Sequence, residues 1–152
     1  MKHARVTVIA ATFAAASLVS GVGASSSGAS ATAASLHFYE RPGPTTVVDN
    51  APKGKKPGRG DVILFANPVF DRHGTQVGTD HGMCTVLDAG RSQCDTTLVL
   101  PKGDVVTHGL ENARTSFDVA VIGGTGAYAG AKGTMTARPL KDGGATILVS
   151  LL

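Results

Sequence analysis

From Leu36 onward no window holds an apolar repeat of about 3.6 residues for ten positions, and tryptophan is absent altogether. The first absence excludes a helical core. The second, with only five Phe and two Tyr in 152 residues, leaves Val, Leu and small side chains to line an interior, and such a lining favours a cavity. Gly-x-Ser-x-Gly does not occur, so with no helix to carry a nucleophile elbow a serine hydrolase is unsupported. His37, His73, His81 and His108 show no paired-ligand spacing, and no metal centre is expected. An excess of one charge is lacking too. Lys2 and Arg5 are two of the 14 Lys and Arg, and without them 12 basic residues face 11 acidic ones. That balance gives no argument for a nucleic-acid partner. The one basic cluster, Lys53, Lys55, Lys56 and Arg59, is interleaved with Gly54, Pro57, Gly58 and Gly60 and reads as a solvated loop.

What is present at the N-terminus sets the expected compartment. Lys2, His3 and Arg5 precede an uncharged apolar or small run from Val6 to Val22, and Ala31-Thr32-Ala33 then offers the small-x-small site a signal peptidase needs, with Ala24 as an earlier alternative. The expected organisation is a cleaved signal peptide over 1–33, its boundary between 24 and 35, and one domain over 34–152. An uncleaved anchor is the other reading, but a run so rich in Ala, Thr and Ser is a weak match to lipid and short for a span. No Cys follows the run to accept a lipid. The expectation is a secreted protein without stable membrane insertion, of about 120 residues, enough chain for one core.

From Leu36 onward short runs rich in Val, Ile, Thr and Phe alternate with Gly, Pro, Asp and Asn, the pattern of an all-β chain. Strands are expected at 36–41, 45–49, 61–70, 76–87, 92–100, 104–110, 116–122, 133–140 and 145–151, nine signals that could form eight strands. Turn residues such as Asp71-Arg72-His73-Gly74 and Lys141-Asp142-Gly143-Gly144 join them closely, which implies an antiparallel meander. A long meander hides its edges best by closing into a barrel, with a two-sheet sandwich as the alternative on pattern alone.

A hairpin turning at Asp88-Ala89-Gly90 pairs Leu87 with Arg91, Val86 with Ser92, Thr85 with Gln93 and Cys84 with Cys94. A disulfide between Cys84 and Cys94 is expected in an exported protein, two buried thiols being the alternative. Parity puts Gly78, Asp80, Gly82, Cys84 and Val86 on one face. If that face is interior, Asp80 is a buried acid whose pKa rises, as suits a general acid or the partner of a cation. If not, it is a rim residue bonded to neighbouring backbone.

Three segments, GDVILFANPVFD (60–71), VGTDHGMCTVLD (77–88) and FDVAVIGGTGAYAGAKGTM (117–135), resemble in order and spacing the superfamily that joins dirigent proteins and allene oxide cyclases. Gly123, Gly124, Thr125, Gly126, Tyr128, Ala131, Lys132 and Gly133 carry the most specific part, and Phe38-Tyr39-Glu40 matches the opening strand. The resemblance implies an eight-stranded antiparallel β-barrel of the allene oxide cyclase/dirigent type, a homotrimer, and no cofactor. It also implies site residues: Glu40, Asn67 and Cys84 match positions around the cyclase pocket, and Tyr128 and Lys132 match pocket positions of dirigent proteins. Pro42 stands where the cyclases carry an Asn that helps hold a water, and Tyr128-Ala129 replaces a dirigent Phe-Arg pair. Gly-Gly-Thr-Gly is read as a strand connection, because no amphipathic helix follows to hold a phosphate.

Two functions of different class follow. One is a cofactor-free isomerase of the intramolecular cyclase type, with Glu40, Asn67 and Asp80 steering closure of a small, mostly apolar reactive intermediate. The other is a non-catalytic dirigent-like barrel that holds or guides such a molecule; a structural extracellular barrel with a packed interior is a third reading.

Overall fold

The alternation of apolar and polar residues draws the chain into nine strands, found in a computed structural model that describes residues 34–50, 56–88 and 90–152. The expected signal segment, 1–33, and Lys53 and Lys55 of the basic loop lie outside the described residues. The strands are β1 (Ala34–Glu40), β2 (Thr45–Val48), β3 (Val62–Phe70), β4 (Gln76–Asp88), β5 (Arg91–Leu100), β6 (Gly103–Asn112), β7 (Phe117–Gly124), β8 (Gly133–Pro139) and β9 (Ala145–Leu151). Each pairs antiparallel with its sequence neighbour from β2 to β9. The sheet closes because β1 pairs with β9 along its whole length and with the end of β3 through Tyr39↔Phe70 and Glu40↔Val69.

The result is a closed eight-stranded antiparallel barrel with one extra strand, β2. The ninth signal has a simple geometric origin. Arg41-Pro42-Gly43-Pro44 interrupts what would otherwise be one long strand beside β3, since the second Pro has no amide hydrogen to donate and fixes its φ. The interruption still follows β3: Arg41 N–H donates to the Pro68 carbonyl at 3.1 Å and Ala66 N–H to that of Pro44 at 3.0 Å. Gly43 is required there, because a Cβ would stand 2.0 Å from the Ala66 carbonyl oxygen.

The β4–β5 hairpin has the expected register from Val86↔Ser92 to Cys84↔Cys94. The expected Leu87–Arg91 pair is corrected: Asp88 is opposite Arg91, and Leu87 is bulged out and exposed. The bulge sets the Asp88 carboxylate against the Arg91 guanidinium, with Nε 3.0 Å from Oδ2. Gly90 completes the turn at φ +106°, a conformation other residues seldom adopt.

One end of the barrel interior is packed. Val69, Leu98, Leu100, Val105, Val121, Met135, Ile147 and Val149 form a buried cluster, and Leu36, Phe38 and Tyr128 press against it. Aliphatic side chains dominate this plug, so burial of each contributes roughly 1.5–3 kcal/mol before ordering costs. At the other end of β5, Ile63, Val86 and Ser92 line a pocket of about 400 Å³ at the barrel mouth, rimmed by Lys56, Pro57, Asp88 and Arg114.

Candidate functional site

Between the plug and the mouth lies a polar layer, assembled by strand parity. Asn67 of β3 is opposite Asp80 of β4, which is opposite Leu98 of β5, so all three face the interior. Glu40 is opposite Val69, two residues along the same face from Asn67, and so joins the row. Asp80 is 3 % exposed. The interior alternative for the Gly78–Val86 face is therefore the observed one, and Asp80 is a buried acid.

Asn67 links two elements. Its Nδ2 donates to Glu40 Oε1, and its Oδ1 accepts the Gly43 N–H at 2.8 Å. The amide is thereby fixed in orientation, and it holds the Glu40 carboxyl against β3. Burial pushes the Glu40 pKa up, and the Asn67 hydrogen bond pulls part of that back. Burial also drives Asp80 well above the ordinary carboxyl range, reinforced by the negative charges of Glu40 and Glu111. Among the described residues Asp80 Oδ1 has no hydrogen-bond partner.

Glu111 is the functional candidate that sequence reasoning missed. It follows Val105, Thr107 and Gly109 at two-residue spacing, so parity alone places it inside; the expected strand ended one residue short, at Leu110. Burial, with the charge of Glu40, raises its pKa to about 7. Three carboxyl groups from three strands thus share one lumen.

Cys84 and Cys94 are joined across β4 and β5 as a disulfide, with Cα atoms 4.1 Å apart. The Glu111 carboxylate lies within 4.8 Å of both sulfurs, but bonded sulfurs are not thiolate ligands, so this trio is no metal site as it stands. Glycines shape the same space. A Cβ on Gly82 would meet the Phe65 ring at 2.1 Å, so Gly82 is what lets that ring lie across the lumen. Beside it, the Thr96 and Thr107 hydroxyls bond each other at 2.6 Å and are both buried.

Tyr128 and Lys132 lie apart from this layer. Tyr128 ends a single 3-10 turn, Gly126–Tyr128, and lines a pocket with Leu36, Phe38 and Leu100 at the far end of β5 from the mouth. Lys132 is exposed just before β8. The Gly123–Gly126 connection contains no longer helix, and a Cβ on Gly126 would stand 2.4 Å from the Lys102 carbonyl oxygen, so close backbone approach explains that glycine. His37, His73, His81 and His108 are all exposed. His108 is bonded to Asp95 and Gln93 on the outer surface.

A comparison with curated proteins gives no match. Among solved structures the chain is similar in fold to a pyocyanin demethylase, at 23 % identity and a TM-score of 0.69, over 78 % of this chain and 100 % of that one. A pterocarpan synthase dirigent protein aligns at 21 % identity and 0.64, over 80 % and 94 %. An exo-specific intermolecular Diels-Alderase aligns at 16 % identity and 0.63, over 79 % and 98 %. The family model described as allene oxide cyclase barrel like domain matches residues 45–150. With the motifs of β3, β4 and β7, the closed barrel and this match, the chain belongs to the allene oxide cyclase-like barrel family.

Proposed function

We propose that this protein is a barrel of the isomerase or cyclase type, which takes a small, mostly apolar reactive intermediate into its interior and steers its closure without a cofactor. One observation carries the reading: Glu40, oriented by Asn67, shares a polar layer of the lumen, next to the aliphatic plug, with the buried acid Asp80. A protonated Asp80 can donate to a developing oxyanion, while an ionised Glu40 stabilises positive charge that develops on the carbon skeleton. Low surrounding polarity strengthens both effects. Asn67 is a positioning residue in this scheme, since its carbonyl is taken by the Gly43 amide and its amide by Glu40.

Similar folds support the choice, because they include a Diels-Alderase and a heme-binding cyclase of a [4 + 2] cycloaddition. Dirigent-like guidance is the second reading, favoured by the likeness to a pterocarpan synthase dirigent protein. Secretion is proposed from the N-terminal sequence. A homotrimer is proposed with it, supported by outward-facing Met83, Val99, Leu110 and Ile122, each more than two-fifths exposed.

The test is Glu40→Gln, assayed on whichever small molecule co-purifies with the secreted protein or is converted in a screen of reactive apolar compounds. The cyclase reading expects turnover to fall by at least a hundredfold with ligand affinity nearly unchanged. A variant that turns over like the parent removes Glu40 from the mechanism, and a protein that binds without turnover moves the assignment to the guiding barrel.

A further inference from the structure

We propose that the interior selects a small organic cation over a neutral molecule of the same shape and admits it in exchange for protons. The inference rests on the interior being the ligand site proposed above and names the class of molecule that site prefers.

Glu40, Asp80 and Glu111 approach one space from β1, β4 and β6, each within electrostatic reach of another. The interior faces of the other strands supply no compensating charge: Asn67 from β3, Thr96 from β5, and aliphatic residues such as Val119, Met135 and Ile147 from β7, β8 and β9. Their polar groups are also spent, Thr96 on Thr107 and Asn67 on Glu40 and Gly43. Asp80 Oδ1 remains, on the interior face of β4, 3 % exposed as a residue and unpartnered among the described residues. A buried polar atom with no protein partner is free to accept or donate to a group that enters from outside the chain. A cation is the ligand class that three clustered acids favour over a neutral molecule of the same shape.

At the mouth, Lys56 and Arg114 are exposed and Asp88 lies with them. Their charges act through water and are screened over about 8 Å in physiological salt, whereas the interior acids act at short range in low polarity. The rim therefore slows entry more than it opposes binding. Inside, the Glu111 carboxyl, whose pKa is raised to about 7, gives up its proton to solvent as the cation arrives. Binding must strengthen as pH rises through the range in which Glu111 titrates, near 7.

Isothermal titration of the purified protein with N-methylquinolinium, and with its neutral isostere 1-methylnaphthalene, tests this at pH 6, 7 and 8 in two buffers of different ionisation heat. The expected result is that the cation binds more tightly than the isostere, releases protons, and gains about tenfold in affinity between pH 6 and 8, following the ionised fraction of one group. Glu111→Gln should remove most of that pH slope and leave the isostere unaffected, with circular dichroism confirming the fold. Asp80→Asn, measured alongside, should weaken the cation selectively as well. Equal affinity for cation and isostere at every pH, or cation binding indifferent to both substitutions, overturns the proposal while leaving the apolar ligand site intact. If neither probe binds, the interior ligand site and this inference fall together.

Discussion

Asn67 stands between Glu40 and the Gly43 amide, bonded to both, so one side chain of β3 fixes a carboxyl group on β1 and the turn that leads from β1 to β2. Removing it as Asn67→Ala leaves both partners half-buried and unpaired, an expected loss of about 1–3 kcal/mol measured by denaturant unfolding. The same substitution removes the bond that lowers the Glu40 pKa, so the Glu40 carboxyl should titrate at higher pH in the variant than in the parent. Carboxyl carbon shifts followed by NMR report that directly.

Thr96 and Thr107 pair hydroxyl to hydroxyl inside the barrel. Thr96→Val alone strands the Thr107 hydroxyl and should cost about 1–3 kcal/mol, whereas the double change to Val should recover most of that loss because no polar group is left behind. A double-mutant cycle in urea checks it, and additive losses would contradict the pairing.

The Cys84–Cys94 bond closes a loop with a sequence separation of 10. Its reduction, or Cys84→Ser with Cys94→Ser, should destabilise the folded chain by roughly 2–3 kcal/mol. Thermal melts with and without a phosphine reductant provide the comparison, and the double variant should show no further response to the reductant.

Glu111 contributes a pH dependence of known sign. Its pKa is raised on folding from 4.5 to about 7, so the folded state holds the proton more tightly than the unfolded one. Stability owed to this group is fully present below about pH 4.5 and declines as pH rises toward 7, above which the whole penalty remains. Glu111→Gln removes the ionisation and should raise stability at pH 8 by up to about 3 kcal/mol, with little change at pH 4. Chemical unfolding at the two pH values separates them.

Much of the fold was legible because period-two patterning and turn residues act locally: β9 was read to the residue, and most other strand ends to within one or two. The departures have local causes. Leu87 is bulged because Asp88 takes its place opposite Arg91, and β6 runs two residues beyond the expected Leu110, to Asn112. The site was legible in part. Parity on β4 placed Asp80 inside with Cys84, and motif resemblance picked out Glu40 and Asn67, whose direct bond no sequence spacing of 27 residues reveals. Glu111 was missed by a strand ended too early, although its spacing from Val105 and Thr107 carried the signal. Lys132, matched by motif, is exposed, since a match in order says nothing of which way a side chain turns after a tight connection.

The central claim is that the interior beneath the mouth accepts a small molecule, and methyl NMR on protein labelled at Ile, Leu and Val tests it most directly. With 1-methylnaphthalene added, ligand-to-methyl contacts are predicted to Ile63 and Val86 at the mouth, and none to Leu148 on the outer surface. Contacts confined to outer residues such as Leu148 and Ile122, or no contacts at saturating ligand, would contradict the account and make the barrel a packed scaffold.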